Sequence, residues 1–315
     1  MTGLSIIITY YKGEKHIFKC LNSIIDSAEN AKKKLPFEII LVIDSIEDSL
    51  EISSKIKKEY ANSKVDLNIH INEKNIGVSE SRNIGLQKSK FNYFTIIDQD
   101  DYVLQNYFTE IEANLDGLYS AYVINGYIKY ESENREIPIY FFKPKFTFKS
   151  ILNKNTLIYT PGLIIFDSKF VSKSNFFIET SKQYKGCDDW AAYLNLLYKG
   201  NCNYKYIKSK IFIYLMHSDN YSNKIDEMIN SSISVLDYLS KLEALNFKSK
   251  RKINYSYLMQ QFYLAKDFKK EKKVSLLKKF PKQFMDHYFF SFFSIDRQNR
   301  LIFNMRKILK KKEYN

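Results

Sequence analysis

Residues 94–101 read Phe94-Thr95-Ile96-Ile97-Asp98-Gln99-Asp100-Asp101, an apolar, β-branched run that stops abruptly on three carboxylates. Its composition is that of a buried strand, and open α/β sheets bind ligands just beyond the carboxyl ends of such strands. Asp98, Asp100 and Asp101 are therefore expected at a ligand site. Carboxylates crowded this closely repel one another unless a cation, hydrogen bonds or solvent offset the charge, and a hard divalent ion with oxygen ligands is the usual remedy. A solvated acidic turn is the competing account, because Asp is also favoured in turns and at helix starts. The surrounding sequence decides between the two.

Upstream, Leu4-Ser-Ile-Ile-Ile-Thr-Tyr-Tyr11 reads as a strand running into a polar turn, and Ile17, Phe18, Leu21, Ile24 and Ile25 follow at helical spacing. Phe37-Glu-Ile-Ile-Leu-Val-Ile-Asp44 is a second strand ending on a carboxylate. In Asn75-Ile-Gly-Val-Ser-Glu-Ser-Arg-Asn83, Asn75 and Gly77 suit a tight loop and Ser79 a helix N-cap. Arg82 then falls in the early turns of a helix, where a guanidinium is a natural partner for a nucleotide base or phosphate. Strand, helix, strand, helix, strand predicts a parallel α/β sheet.

Downstream, Lys185-Gly-Cys-Asp-Asp-Trp-Ala-Ala-Tyr-Leu-Asn-Leu-Leu197 shows Trp190, Tyr193, Leu194 and Leu197 at helical spacing, which places Asp188 as N-cap and Asp189 in the first turn. His217 follows the strand-like run Ile213-Tyr-Leu-Met216. A lone histidine is more often structural than a ligand, and His16, His70 and His287 have no comparable setting. Cys20, Cys187 and Cys202 lack metal-ligand spacing and fit a reducing compartment, with Cys187 read as a packing residue.

In this order of motifs the chain resembles the family 2 glycosyltransferases of the GT-A fold, over about residues 3–222. The counterparts are Ser5–Tyr11 for the first strand and its exit, Val42–Asp48 for the nucleotide-binding strand end, 75–83 for the Asn-x-Gly…Ser-Arg-Asn segment and 98–101 for the Asp-x-Asp signature. One departure is visible: the family's Val-Asp-Asp-Gly-Ser-x-Asp stands here as Val42-Ile-Asp-Ser-Ile-Glu-Asp48, without its glycine.

The resemblance implies a Rossmann-like, mostly parallel sheet flanked by helices. It also implies an inverting transfer from a nucleotide-diphosphate donor, a UDP-sugar, to a hydroxyl of a bacterial-type surface glycan or lipid-linked oligosaccharide, as in lipopolysaccharide or capsule synthesis. Thr9, Tyr11, Asp44, Asn75, Arg82 and Asp98 are implied donor-binding residues. Asp100 and His217 are the implied ligands of Mn2+ or Mg2+, with Asp98 and Asp101 as further candidates. Of the pair Asp188-Asp189, the second acid is the implied catalytic base.

The chain has 315 residues, 45% of them hydrophobic, enough for a sizeable core. The expected division is a catalytic domain at 1–222, its nucleotide half ending near 101 and its acceptor half covering 102–222, followed by a helical, basic region at 223–315. From Lys248 onward there are 19 Lys and Arg against 5 Asp and Glu, so this tail carries the whole net charge of +14. Interleaved with the aromatic cluster 288–293, it is expected to meet an anionic membrane surface, with a packed helical cap as the alternative. Nucleic acid is not an expected partner, since no recognition motif accompanies the charge. No apolar run approaches the roughly 20 residues of a membrane span, so a cytoplasmic protein, peripheral on the inner face of the plasma membrane, is expected. The aromatics at 126–184, among them Tyr127, Tyr140, Phe142, Phe146 and Tyr159, are expected on an acceptor surface or in the core. A nucleotidyltransferase would carry a glycine-rich basic loop after the first strand, and Thr9-Tyr-Tyr-Lys-Gly-Glu-Lys15 is not one. A non-catalytic membrane- or glycan-binding protein leaves the acidic motifs unexplained.

Overall fold

A computed structural model describes residues 1–31, 35–133, 135–153, 157–183, 185–200 and 202–242, together with Ile253. The basic and aromatic tail expected at a membrane lies outside the described residues. The chain divides into two compact units, one built from residues 1–139, 158–178 and 201–217, the other from 140–157, 179–200 and the described residues from 218 onward.

The first unit opens with β1 (Leu4–Tyr10), α1 (Glu14–Asn30), β2 (Phe37–Ile43), α2 (Ser49–Glu59), β3 (Asp66–Ile71), α3 (Val78–Lys88) and β4 (Tyr93–Asp98). These strands pair in parallel in the order β3-β2-β1-β4. The long apolar runs have this destiny because a parallel sheet is covered on both faces: Ile6, Ile7, Ile8, Ile39, Ile40 and Leu41 are all buried. The apolar stripe of α1, from Ile17 through Leu21 to Ile25, is buried as its spacing predicts. Glu38, in the middle of β2, is 2% exposed and accepts hydrogen bonds from Ser5 Oγ at 2.7 Å and the Lys90 N–H at 2.8 Å, which removes most of the penalty for its burial.

β5 (Tyr102–Val103), α4 (Tyr107–Asn114), β6 (Ala121–Tyr130), β7 (Arg135–Pro138), β8 (Ile164–Asp167) and β9 (Tyr204–Met216) extend the sheet to the order β3-β2-β1-β4-β8-β6-β9-β5, with β7 on β6. The expected, mostly parallel sheet is parallel over its first four strands. Beyond β4 it becomes mixed, because β8 runs antiparallel to both β4 and β6, while β6 and β9 pair in parallel. That last pairing shifts register at Ile124–Gly126. Gly126 sits where the strands press together, and a Cβ there would meet the Phe212 carbonyl oxygen at 2.2 Å.

The second unit contains α5 (Phe148–Asn153), α6 (Asp188–Lys199) and α7 (Ile225–Ser240). Trp190 of α6 is buried and donates its indole N–H to the Ile151 carbonyl at 2.8 Å, while Phe146 and Tyr193 pack edge to face. Among the described residues no helix is long and apolar enough to cross a membrane.

Gly126→Ala should destabilise the protein by about 1 to 3 kcal/mol, since backbone rather than a flexible side chain must yield. Gly200→Ala, with nothing within 4 Å of the added atom, is the matched control and should stay within about 0.5 kcal/mol of the parent. Denaturant midpoints at constant m-value would show both.

Candidate active site

In register, Thr9 of β1 stands beside Val42 of β2 on one side and Asp98 of β4 on the other, so the carboxyl ends of three parallel strands come level. This is the position at which open α/β sheets bind ligands. Asp98, at the end of β4, accepts from the Arg82 guanidinium at 2.5 Å. Arg82 is 5% exposed and lies over the Phe177 ring, so the ion pair and the aromatic face both fix the guanidinium. The expected cation in the early turns of α3 is thus present, and its partner in the protein is the signature's first carboxylate.

Asp101 is fully buried, accepting from Thr160 Oγ at 2.6 Å and from the Leu215 N–H at 3.0 Å. Burial, reinforced by the charges of Asp100 and Asp98, pushes its carboxyl well above the usual range. With both oxygens taken by protein donors, Asp101 ties the turn after β4 to the end of β9. Thr160 gave no signal in the sequence, lying 59 residues from its partner.

Asp100 meets His217 at the end of β9, Oδ2 to Nε2, at 2.9 Å, with the two side chains 20% and 7% exposed. Among the described residues no group of three or more His, Cys, Asp and Glu side chains is arranged to hold a metal ion. By the chemistry of its donors, a carboxylate beside an imidazole, the Asp100–His217 pair would suit a divalent ion that takes its remaining ligands from water and substrate phosphates.

His16, which the sequence left without a role, is brought against this pair: its ring lies 4.6 Å from that of His217, tilted by 31°. Burial and the neighbouring His217 lower its pKa from the ordinary value. Gln99, the middle residue of Asp-Gln-Asp, turns the other way. It accepts from the Tyr11 N–H at 2.9 Å and donates Nε2–H to the Tyr11 carbonyl at 3.1 Å, leaving the Tyr11 side chain 50% exposed.

Asp44, beyond β2, is 5% exposed and accepts three N–H groups, from Asn72 Nδ2 at 2.8 Å and from the backbones of Ile76 and Gly77, each at 2.9 Å. It thereby builds the loop that starts α3. The expected N-cap at Ser79 is displaced: the cap position is Gly77 with φ 89°, and Ser79 lies inside the first turn. A positive φ suits glycine, and the carboxylate of Asp44 fixes the approach to the helix by accepting the Ile76 and Gly77 N–H groups. Asn75 is exposed, and Asn72 is the asparagine that meets Asp44.

In the second unit, α6 starts with its cap at Cys187, in the left-handed region at φ 61°, so Asp188 is the first helical residue and not the N-cap. Cys187 is buried, as a packing residue should be, with Sγ 3.4 Å from Ser232 Oγ. Asp189 is half-buried and accepts the following Trp190 N–H at 2.7 Å. Both acids stand in the first turn, where the helix dipole favours negative charge. Of the aromatics at 126–184, Tyr140 and Phe146 are core, Phe142 is 46% exposed, and Tyr127, Tyr130 and Tyr159 are half-buried.

Asp44→Ala strands three N–H donors in a buried place and should cost about 1 to 3 kcal/mol. Hydrogen exchange should accelerate first at the Ile76 and Gly77 amides.

A family model described as Glycosyl transferase family 2 matches residues 5–174. Glycosyltransferase GlyA of Streptococcus pneumoniae is 35% identical over 105 residues, 33% of this chain and 14% of that protein. The teichoic acid poly(glycerol phosphate) polymerase of Staphylococcus epidermidis is 32% identical over 124 residues, 38% of this chain and 16% of that protein. The chain therefore matches only a small part of either relative's length. In fold it is similar to S. aureus TarS 1-349 solved in complex with UDP-GlcNAc, with a TM-score of 0.59 and 19% identity, over 88% of this chain and 80% of that one. With more than half its length matched by the family model, the chain belongs to glycosyl transferase family 2, and it has the GT-A fold, with carboxylates at the strand ends where such a sheet binds its ligands.

Proposed function

We propose that the protein transfers a sugar from a UDP-sugar to a hydroxyl of a surface glycan or lipid-linked glycan, with inversion and with a divalent ion. The observation that carries this reading is the Asp100–His217 pair at 2.9 Å, beside the level carboxyl ends of β1, β2 and β4. TarS, similar in fold, is solved with UDP-GlcNAc, and the Staphylococcus epidermidis relative is a teichoic acid poly(glycerol phosphate) polymerase, which support the donor and acceptor classes.

Thr9, Tyr11 and the Asp44-built loop with Asn75 bind the nucleotide, and Asp98, oriented by Arg82, takes the ribose. Asp100 and His217 would hold Mn2+ or Mg2+, whose positive charge would offset the negative charge developing on the departing diphosphate. Asp189 removes the acceptor's hydroxyl proton as that oxygen attacks the anomeric carbon, and the bond from that carbon to the diphosphate oxygen breaks, releasing UDP. Asp188, the other acid of this catalytic motif, stands beside it in the first turn of α6. The basic tail draws the enzyme to an anionic membrane carrying its acceptor.

Asp100→Asn should abolish Mn2+-dependent stabilisation by UDP-sugars in a thermal-shift assay, because only a ligand of the native state raises Tm. Full turnover in excess chelator overturns the metal requirement. Asp189→Asn should lower kcat by about 10² to 10⁴ while donor affinity stays near the parent's. A product that retains the donor's anomeric configuration, read from proton coupling constants, excludes single displacement. Binding to acidic liposomes should weaken steeply with salt, since exposed charges are screened within about 8 Å at physiological ionic strength; salt-independent binding, or none, removes the membrane from the proposal.

A further inference from the structure

The residues around Asp100 close a circuit. Gln99 is bonded twice to the backbone of Tyr11. Two residues further on, Gly13 lies so near Gln99 that a Cβ on it would meet the Gln99 side chain at 2.3 Å. Gly13 begins α1: its carbonyl accepts the His16 N–H at 3.0 Å and the Ile17 N–H at 3.1 Å. One turn into the helix, the His16 ring lies against His217, and His217 returns to Asp100. Lys15 adds a bridge to Glu131 at 3.0 Å, an exposed pair of small energetic weight.

We propose that His16 is a positioning residue for His217, its ring holding that imidazole in the orientation that presents Nε2 to Asp100 and to the ion the two share. The inference rests on the metal reading above but concerns a residue that reading does not use. The contact is ring against ring, and no hydrogen bond joins the two histidines in the described structure. A side chain that ligates loses rotamer entropy, and a ring packed against it, as His16 is against His217, removes part of that freedom beforehand. Outer partners that orient a metal-binding histidine by hydrogen bonding commonly change metal affinity by about 10- to 100-fold, and a packed ring acts on the same orientation. The circuit also explains why the middle residue of Asp-Gln-Asp turns away from the carboxylates: it registers the start of α1, and with it His16, on the same turn that carries Asp100.

Two substitutions in the full chain test this. His16→Ala removes the ring, and His16→Phe keeps a ring of similar breadth without nitrogen. In the metal-free protein labelled with 15N-histidine, His16→Ala should shift and broaden the His217 ring signals, and His16→Phe should leave them narrow. Mn2+ affinity, read by electron paramagnetic resonance, should fall about 10-fold or more in His16→Ala and remain within about 3-fold of the parent in His16→Phe. His217 signals and Mn2+ affinity both unchanged in a folded His16→Ala protein would overturn the proposal, as would a His16→Phe protein that loses as much as His16→Ala, since the nitrogen and not the ring would then matter. A parent protein that binds no Mn2+ would instead defeat the metal reading, and the ring signals would still decide whether His16 holds His217.

Discussion

Three carboxylates in one turn set the problem around which the first unit is organised, and each is answered by a different partner. Asp98 takes a guanidinium, Asp100 an imidazole, and Asp101 a hydroxyl with a backbone N–H. The order follows burial. Asp101 is fully buried and is stabilised by neutral donors that bring no further ion into the interior; Asp98, with a side chain 30% exposed, sits beside an Arg whose own charge is compensated by the pairing and by an aromatic face. Asp100 is left with a partner able to serve either as a hydrogen-bond donor or as a fellow ligand. These partners lie 16, 59, 114 and 117 residues from the acids they meet. The turn therefore depends on the sheet order that brings α3, the segment at 160 and the end of β9 to one place.

The same turn organises what precedes it. Gln99 reaches back to Tyr11, and its side-chain amide lies against the Gly13 that starts α1, where an added Cβ would displace it. On the other flank Asp44 makes a loop through Asn72, Ile76 and Gly77, whose positive φ lets α3 begin and carries Arg82 to Asp98. Thus two helices whose first turns face the strand ends are each fixed by a side chain from a strand exit, Gln99 for α1 and Asp44 for α3. The departure from the family pattern at 42–48 removes a glycine but keeps the carboxylate at 44 on which this loop is built.

The strands were legible because burial on both faces demands continuous β-branched runs, and β1, β2 and β4 lie within a residue of where those runs begin and end. Helix caps were less so. Both expected side-chain caps, Ser79 and Asp188, lie inside their helices, displaced by Gly77 and Cys187 at positive φ. Cap identity depends on how the chain enters the helix, and that path is set by contacts such as Asp44 with the 76–77 amides, which leave no local trace in composition.

Sequence alone determined the α/β class, the parallel first half, and the residue types gathered at the strand ends, because hydrophobic periodicity and the abrupt change from apolar strand to acidic turn are local properties of the chain. Only the tertiary structure decided which partner each carboxylate takes. Asp44 reads as a ligand-facing acid and also accepts three N–H donors of its own chain; His16 reads as an ordinary polar residue and proves to lie on His217. The reason is physical: the free energy of a buried charge is fixed by the donors within hydrogen-bond reach, and these come from residues brought close by sheet order, not by their distance along the chain.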